Sequence, residues 1–239
     1  MKIEPAEFRD HLVETAARRY QSAGRFAYHF ARGKLGSDPV FASILSQGLI
    51  PDGSRILDLG CGQGLLAAWL LSARCCHGSK GWRDDWPAPP GNFDFRGVEL
   101  MPREVGRARE ALGTQASIEQ GDIRSSTFGD SDVVVILDVL HYMDLENQKI
   151  VLERVRRSLQ TGGSLILRVG DASAGLPFKF SNWVDQCVLL IRGHGLVRLH
   201  CRPIAGWIEL LRRIGFDAQA MPMSAGTPFA NVLLVAKPR

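Results

Sequence analysis

At 239 residues, 45% hydrophobic and 23% charged, the chain can bury one sizeable α/β core but would be crowded as two full domains. Its net charge of +4 comes mainly from arginines scattered along helix-like segments, so solvated helix faces account for it and no nucleic-acid stripe stands out. No run approaches the roughly 18 apolar residues of a membrane span. The start, Met1-Lys-Ile-Glu-Pro, lacks a secretory pattern, and five irregularly spaced cysteines argue against a disulfide framework; together these point to a cytoplasmic protein.

In chain order, Phe8, Leu12, Ala16 and Tyr20 repeat at four-residue spacing, and Phe26 with Phe30 continues a second stripe, so about Pro5 to Gly33 reads as amphipathic helices. Asp38-Pro39 supplies an N-cap and first-turn proline for a third helix containing Val40, Phe41, Ile44 and Leu45. The stretch Arg55 to Gly64 then reads as strand and glycine turn, followed by a buried helix from Leu65. Glycines serve where backbone turns tightly close to a ligand, and the N–H groups at the next helix start favour polar or anionic atoms, so a nucleotide-like cofactor is expected. The dinucleotide fingerprint needs its third glycine where Leu65 stands; here the glycines fall as G-x-G-x-G behind Asp58.

Arg74 to Asn92, rich in Gly, Pro and Trp, reads as an inserted loop. Its Cys75-Cys76-His77 has no second ligand pair, so incidental thiols are favoured over zinc. Phe93 to Glu99 is a second strand, whose terminal acid either accepts from ribose hydroxyls or caps the helix beginning near Pro102. A helix over Met101 to Leu112 and a strand from Ser117 into Asp122-Ile123 follow. Asp132 to Leu137 is unbroken apolar sequence, the mark of a central parallel strand, and Asp138 to Met143 extends beyond its carboxyl end, where ligands gather in open sheets. Next come a helix over Leu145 to Leu159 closed by Thr161-Gly-Gly163, and a strand over Ser164 to Val169. A helix over Pro177 to Arg192 precedes a loop with His194, His200 and Arg202. The Ile204 to Ile214 helix and two last strands complete the chain.

The Asp58-x-Gly60-x-Gly62-x-Gly64 turn resembles motif I of class I S-adenosylmethionine-dependent methyltransferases, and Leu-Gln-Thr-Gly-Gly-Ser-Leu and the helix-Gly-Phe unit before two last strands resemble later segments of that family. The resemblance covers about Gly53 to Lys237. It implies a Rossmann-like, seven-stranded, mostly parallel sheet: an N-terminal helical lid over residues 1–50 and a methyltransferase domain over 51–239, with an insertion at 74–92. S-adenosylmethionine, with S-adenosylhomocysteine as product, would be held by Asp58, Gly60, Cys61, Gly62, Gly64, Glu99, Leu100, Asp122, Ile123 and Asp138. Asp122 either accepts from the adenine amine or stabilises its own turn.

The implied reaction is methyl transfer to a small organic acceptor, with Tyr28, His29, Tyr142 and His200 as candidate acceptor contacts. His141 is the first candidate general base, its alternative being a packed histidine at a helix start. The 138–143 segment departs from the Asn/Asp-Pro-Pro-aromatic signature of base-amine methylation, so a nucleic-acid substrate is not expected, nor is stable membrane insertion. A looser similarity to methyltransferases of bacterial aryl-polyene pigment synthesis implies a phenolic or polyketide-like acceptor. Two rivals stay open: an NAD(P)-dependent reductase, opposed by the missing glycine and by Glu146 where a Tyr-x-x-x-Lys arrangement needs lysine, and a non-catalytic cofactor-binding module. Oligomeric state is left open.

Overall fold

The computed structural model describes residues 5–78, 82–175, 199–224 and 230–239. The chain divides into two compact units, Met1–Ser126 and Thr127–Arg239. The first opens with α1 (Pro5–Arg18), α2 (Arg25–Ser37) and α3 (Pro39–Ser46), followed by β1 (Ser54–Leu59), α4 (Leu65–His77), β2 (Phe93–Glu99), α5 (Pro102–Leu112) and β3 (Ser117–Gln120). Gly24, at φ 105, separates α1 from α2. The aspartate cap on α3 forms as expected: Asp38 accepts from Val40 N at 3.1 Å, with Pro39 in the first turn.

Strands β2 and β1 pair in parallel, as do β2 and β3, with Ser54 opposite Phe93 and Arg96 opposite Ser117. Parallel neighbours need a crossover, which α4 and α5 supply. Helix α4 is buried almost all round, from Leu65 to Ala73 and again at Cys76, and Trp69 Nε1 donates to Phe41 O at 2.8 Å. This burial carries the helix beyond the expected loop start at Arg74: α4 ends at His77, with Arg74 and His77 placed where the helix dipole favours basic groups. The remaining loop is fastened to α1. Trp82 and Trp86 meet Phe8 edge-on at 5.3 and 5.6 Å, and Trp82 Nε1 donates to Pro87 O at 3.1 Å.

The second unit holds β4 (Ser131–Leu137), a single 3₁₀ turn at Leu140–Tyr142, α6 (Leu145–Ser158), β5 (Leu159–Gly170), α7 (Ile204–Ile214), β6 (Phe216–Pro222) and β7 (Asn231–Pro238). Strand β5 is parallel to β4 and antiparallel to β7, which in turn pairs antiparallel with β6. Thr161-Gly-Gly163, expected as the turn closing the preceding helix, lies inside β5. Pairing passes from Ser131 opposite Leu159 to Val133 opposite Ser164, so the glycines form a bulge. Gly162 takes φ 82, and a Cβ on Gly163 would stand 2.8 Å from Asp132 O, which is why side chains fail there. The expected helix at Pro177 to Arg192 and His194 lie outside the described residues.

The seven strands form a mostly parallel, Rossmann-like sheet with flanking helices, as the sequence implies. No described helix is long and apolar enough to cross a membrane.

Candidate functional site

The chain leaving β1 turns against the end of β2, where Gly60 N and Cys61 N both donate to Val98 O, at 2.8 and 3.2 Å. Gly60, Gly62 and Gly64 adopt φ values of 79, 56 and 76, the left-handed region in which a side chain is strained. Gly64 has a second reason to be glycine: an added Cβ would lie 2.6 Å from Leu112 of α5. Gly97 on β2 likewise leaves room for the Cys61 thiol, 2.6 Å from where a Cβ would sit. Burial first, then the nearby Asp58 and Glu99 carboxylates, push that thiol well above its ordinary pKa, so Cys61 acts as a small buried filler.

Two carboxyl groups flank the turn. Glu99 Oε2 accepts from Gly62 N at 2.9 Å and Oε1 accepts from Met101 N at 2.8 Å. Met101 is the N-cap of α5, so Glu99 meets the start of that helix through a backbone N–H. Each oxygen keeps a second acceptor site. Asp58 is buried, and its pKa is pushed up to about 8, chiefly by burial and further by Glu99. Beyond β3, Asp122 Oδ1 accepts from Arg124 N at 2.9 Å in a local turn, while the Arg124 guanidinium across the carboxylate lowers its pKa. Ile123 is buried, whereas Leu100 is 56% exposed.

Helix α2 and the segment between α1 and α2 reach this turn directly. Buried Tyr20 donates from its hydroxyl to Gln63 O at 2.9 Å, and Gln63 Nε2 donates to Ala27 O at 3.0 Å. Arg107 of α5 lies over the Phe26 ring at 4.5 Å. The sequence reading placed Tyr20 and Phe26 only as stripe residues and did not single out Gln63. Tyr28 and His29 have contacts elsewhere: Tyr28 donates to Glu14 at 3.1 Å, and His29 lines a groove of about 380 Å³ with Asp10, Val13, Arg32 and Gly33.

In the second unit, Asp138 follows β4 with φ 59. Among the described residues no other non-glycine has positive φ. Its carboxylate is held by both arms of Arg168, with Nε to Oδ1 at 2.8 Å and a second bond from the terminal nitrogen to Oδ2. Arg168 is only 1% exposed, so the carboxylate offsets what would be a costly buried cation. Nothing in a strand pattern flags such a pair, whose members stand 30 residues apart. His141 is buried next to Tyr142, the rings 4.1 Å apart. Its pKa is lowered by burial, with Asp138 opposing and Arg168 adding to that shift. His200 N donates to His141 O at 2.8 Å, bringing together three of the expected acceptor-side residues.

Residues 57–165 match the model of a family described as a methyltransferase domain. That match takes in a little under half of the chain. It spans Asp58, the glycine turn, Glu99, Asp122 and His141. The chain is 31% identical over 142 residues to a carboxy-S-adenosyl-L-methionine synthase of Chromohalobacter salexigens, covering 55% of this chain and 47% of that protein. It thus spans about half the length of the curated relatives it matches. Among solved structures, magnesium protoporphyrin IX methyltransferase from Synechocystis with bound S-adenosylhomocysteine superposes with a TM-score of 0.59 at 20% identity, covering 97% of this chain and 98% of that one. An O-methyltransferase family 2 protein from Planctomyces limnophilus, in complex with apigenin, gives 0.64 at 17% identity over 94% and 65%. These neighbours share the Rossmann-like fold of this chain.

Proposed function

We propose that this chain binds S-adenosylmethionine through the glycine turn and Glu99 and transfers its methyl group to a small organic acceptor. The observation that carries the reading is the turn itself. Three left-handed glycines are braced by a carboxylate, and the space beside Gly62 is open, since an added Cβ would meet nothing within 4 Å. The match of residues 57–165 to a methyltransferase domain supports it. Glu99 has acceptor capacity left for ribose hydroxyls. Buried Gln63 Oε1, without a hydrogen-bond partner among the described residues, suits the amino group of the methionyl part. Asp122 and Ile123 are assigned to the adenine end and Leu100 and Asp138 to the cofactor, while α1 to α3 serve as the lid.

When bound, S-adenosylmethionine supplies an electrophilic methyl group on a positively charged sulfur. The chain's part is to orient an acceptor in line with that methyl, exclude water, and remove a proton where the acceptor is a hydroxyl. His141 is assigned to the proton: its lowered pKa keeps the imidazole neutral, and so able to accept, at physiological pH. Tyr28, His29, Tyr142 and His200 are assigned to the acceptor, taken as a phenolic or aryl-polyene precursor in the cytoplasm.

Calorimetry tests the reading. S-adenosylmethionine and S-adenosylhomocysteine should bind saturably and NADH should not; heat from NADH alone would sink it. Glu99→Ala should weaken S-adenosylmethionine binding by about 1.5–3 kcal/mol, the range for bonds to a charged group. A second reading comes from the 31% identical relative, whose name describes the synthesis of a carboxylated S-adenosylmethionine. Mass spectrometry of the adenosyl product separates the two, because methyl transfer leaves S-adenosylhomocysteine and the second reaction leaves a heavier, carboxylated sulfonium.

A further inference from the structure

Gln148 stands in the first turns of α6 and is 0% exposed, on the face that it shares with Val151, Leu152 and Val155. An aliphatic residue would fill that position without burying an amide, which costs free energy unless every polar atom is bonded. The Gln148 amide is bonded at both ends. Nε2 donates to Leu140 O and Met143 O, each at 3.1 Å, and to His200 O at 2.7 Å. With two hydrogens for three carbonyls, one hydrogen is shared. Oε1 accepts from Arg202 Nε at 2.9 Å, and the same guanidinium donates to Leu145 O at 3.0 Å.

These bonds join two stretches of chain that are remote in sequence. The first is the 3₁₀ turn that carries His141 and Tyr142, a single turn closed by Met143 N donating to Leu140 O at 3.1 Å. The second is the segment His200 to Arg202. The direct bond from His200 N to His141 O makes the junction tighter still.

We propose that Gln148 is a positioning residue for the methyl acceptor: its amide locks the His141–Tyr142 turn to the His200 segment, so that these side chains form one fixed acceptor-binding face. This rests on the methyl-transfer reading above. Gln148 touches neither donor nor acceptor; it acts through the backbone of the residues that do. Arg202 completes the clasp by holding the amide oxygen and so fixing which end of Gln148 faces the three carbonyls.

The test uses the full chain and four measurements: S-adenosylmethionine affinity by calorimetry, thermal unfolding, amide hydrogen exchange, and kcat and KM for the best-methylated member of a panel of phenols, catechols, quinols and aryl-polyenoic acids. Gln148→Leu should leave cofactor affinity within twofold, raise acceptor KM at least tenfold and speed exchange at the His200 amide at least tenfold. Val155→Ala, on the same buried face, lowers stability without touching the clasp and should leave acceptor KM within twofold. If Gln148→Leu does not fold, Arg202→Met, which removes the bonds to Gln148 and Leu145, should raise KM in the same direction. An unchanged KM in the folded clasp variant, or an equal rise in Val155→Ala, overturns the proposal. Failure of the wild-type chain to bind S-adenosylmethionine or to methylate any panel member overturns the methyl-transfer reading itself, and the acceptor role of Gln148 with it.

Discussion

Burial holds Asp58 at a pKa of about 8, so in the folded chain this carboxyl carries a proton at neutral pH. Its folded pKa lies above the ordinary value of 3.8, so between about pH 4 and pH 8 the native state binds more protons than the unfolded chain and loses stability as pH rises. Asp58→Asn should therefore match wild type near pH 4 and exceed it at pH 8.5, as urea unfolding at the two pH values will register; parallel curves would refute the assignment. His141 behaves in the opposite sense. Its folded pKa is depressed, so stability is lost as pH falls below the ordinary imidazole value of 6.5. The acid limb of the methyl-transfer rate should lie below that value as well. His141→Ala should keep cofactor affinity while kcat falls roughly 10²–10⁴-fold and that limb disappears. At this scale the sequence pointed to Asp58, Glu99 and His141 because each stands beside a glycine turn or at a strand end. It could not point to Arg168, whose partner Asp138 is 30 residues away, nor to Gln148, whose amide bonds residues 52 and 54 positions further on.

Elements were readable wherever burial repeats in a regular period. Val133 to Ile136 is an unbroken apolar run, and β4 occupies it; Val105, Ala108 and Leu112 mark the inward face of α5. Readability failed where glycine was ambiguous. Thr161-Gly-Gly163 resembles a helix terminus locally, and only pairing with β4 makes it a bulge within a 12-residue strand. The N-terminal helices were expected to act as a lid, and the Tyr20–Gln63–Ala27 bonds give that idea a test. Tyr20→Phe removes one buried hydrogen bond and should cost about 0.5–1.5 kcal/mol of stability. In wild type, S-adenosylhomocysteine should slow amide exchange across α1 and α2; in Tyr20→Phe that protection should shrink. Equal protection in both proteins would separate the lid from the turn.

For the whole molecule, every residue assigned to the glycine turn, the ribose and the adenine falls within Met1–Ser126. S-adenosylhomocysteine at 100 times its Kd should stabilise the folded protein by about 2.7 kcal/mol, rising with ligand concentration; a melting temperature independent of concentration would contradict specific binding. The sheet was legible from its apolar runs and glycine punctuation. The division at Ser126 was not, because it depends on how contacts close within each half and not on any linker composition. The indoles add a practical consequence. Trp69, Trp82 and Trp86 belong to the first unit and Trp207 to the second, and the Trp82 and Trp86 rings lie 6.0 Å apart at 78°. Unfolding of this loop would part the two rings and change the surroundings of both indoles together. With Trp183 and Trp207 replaced by Phe, indole fluorescence would come from Trp69, Trp82 and Trp86 alone and so report on the unfolding of the first unit.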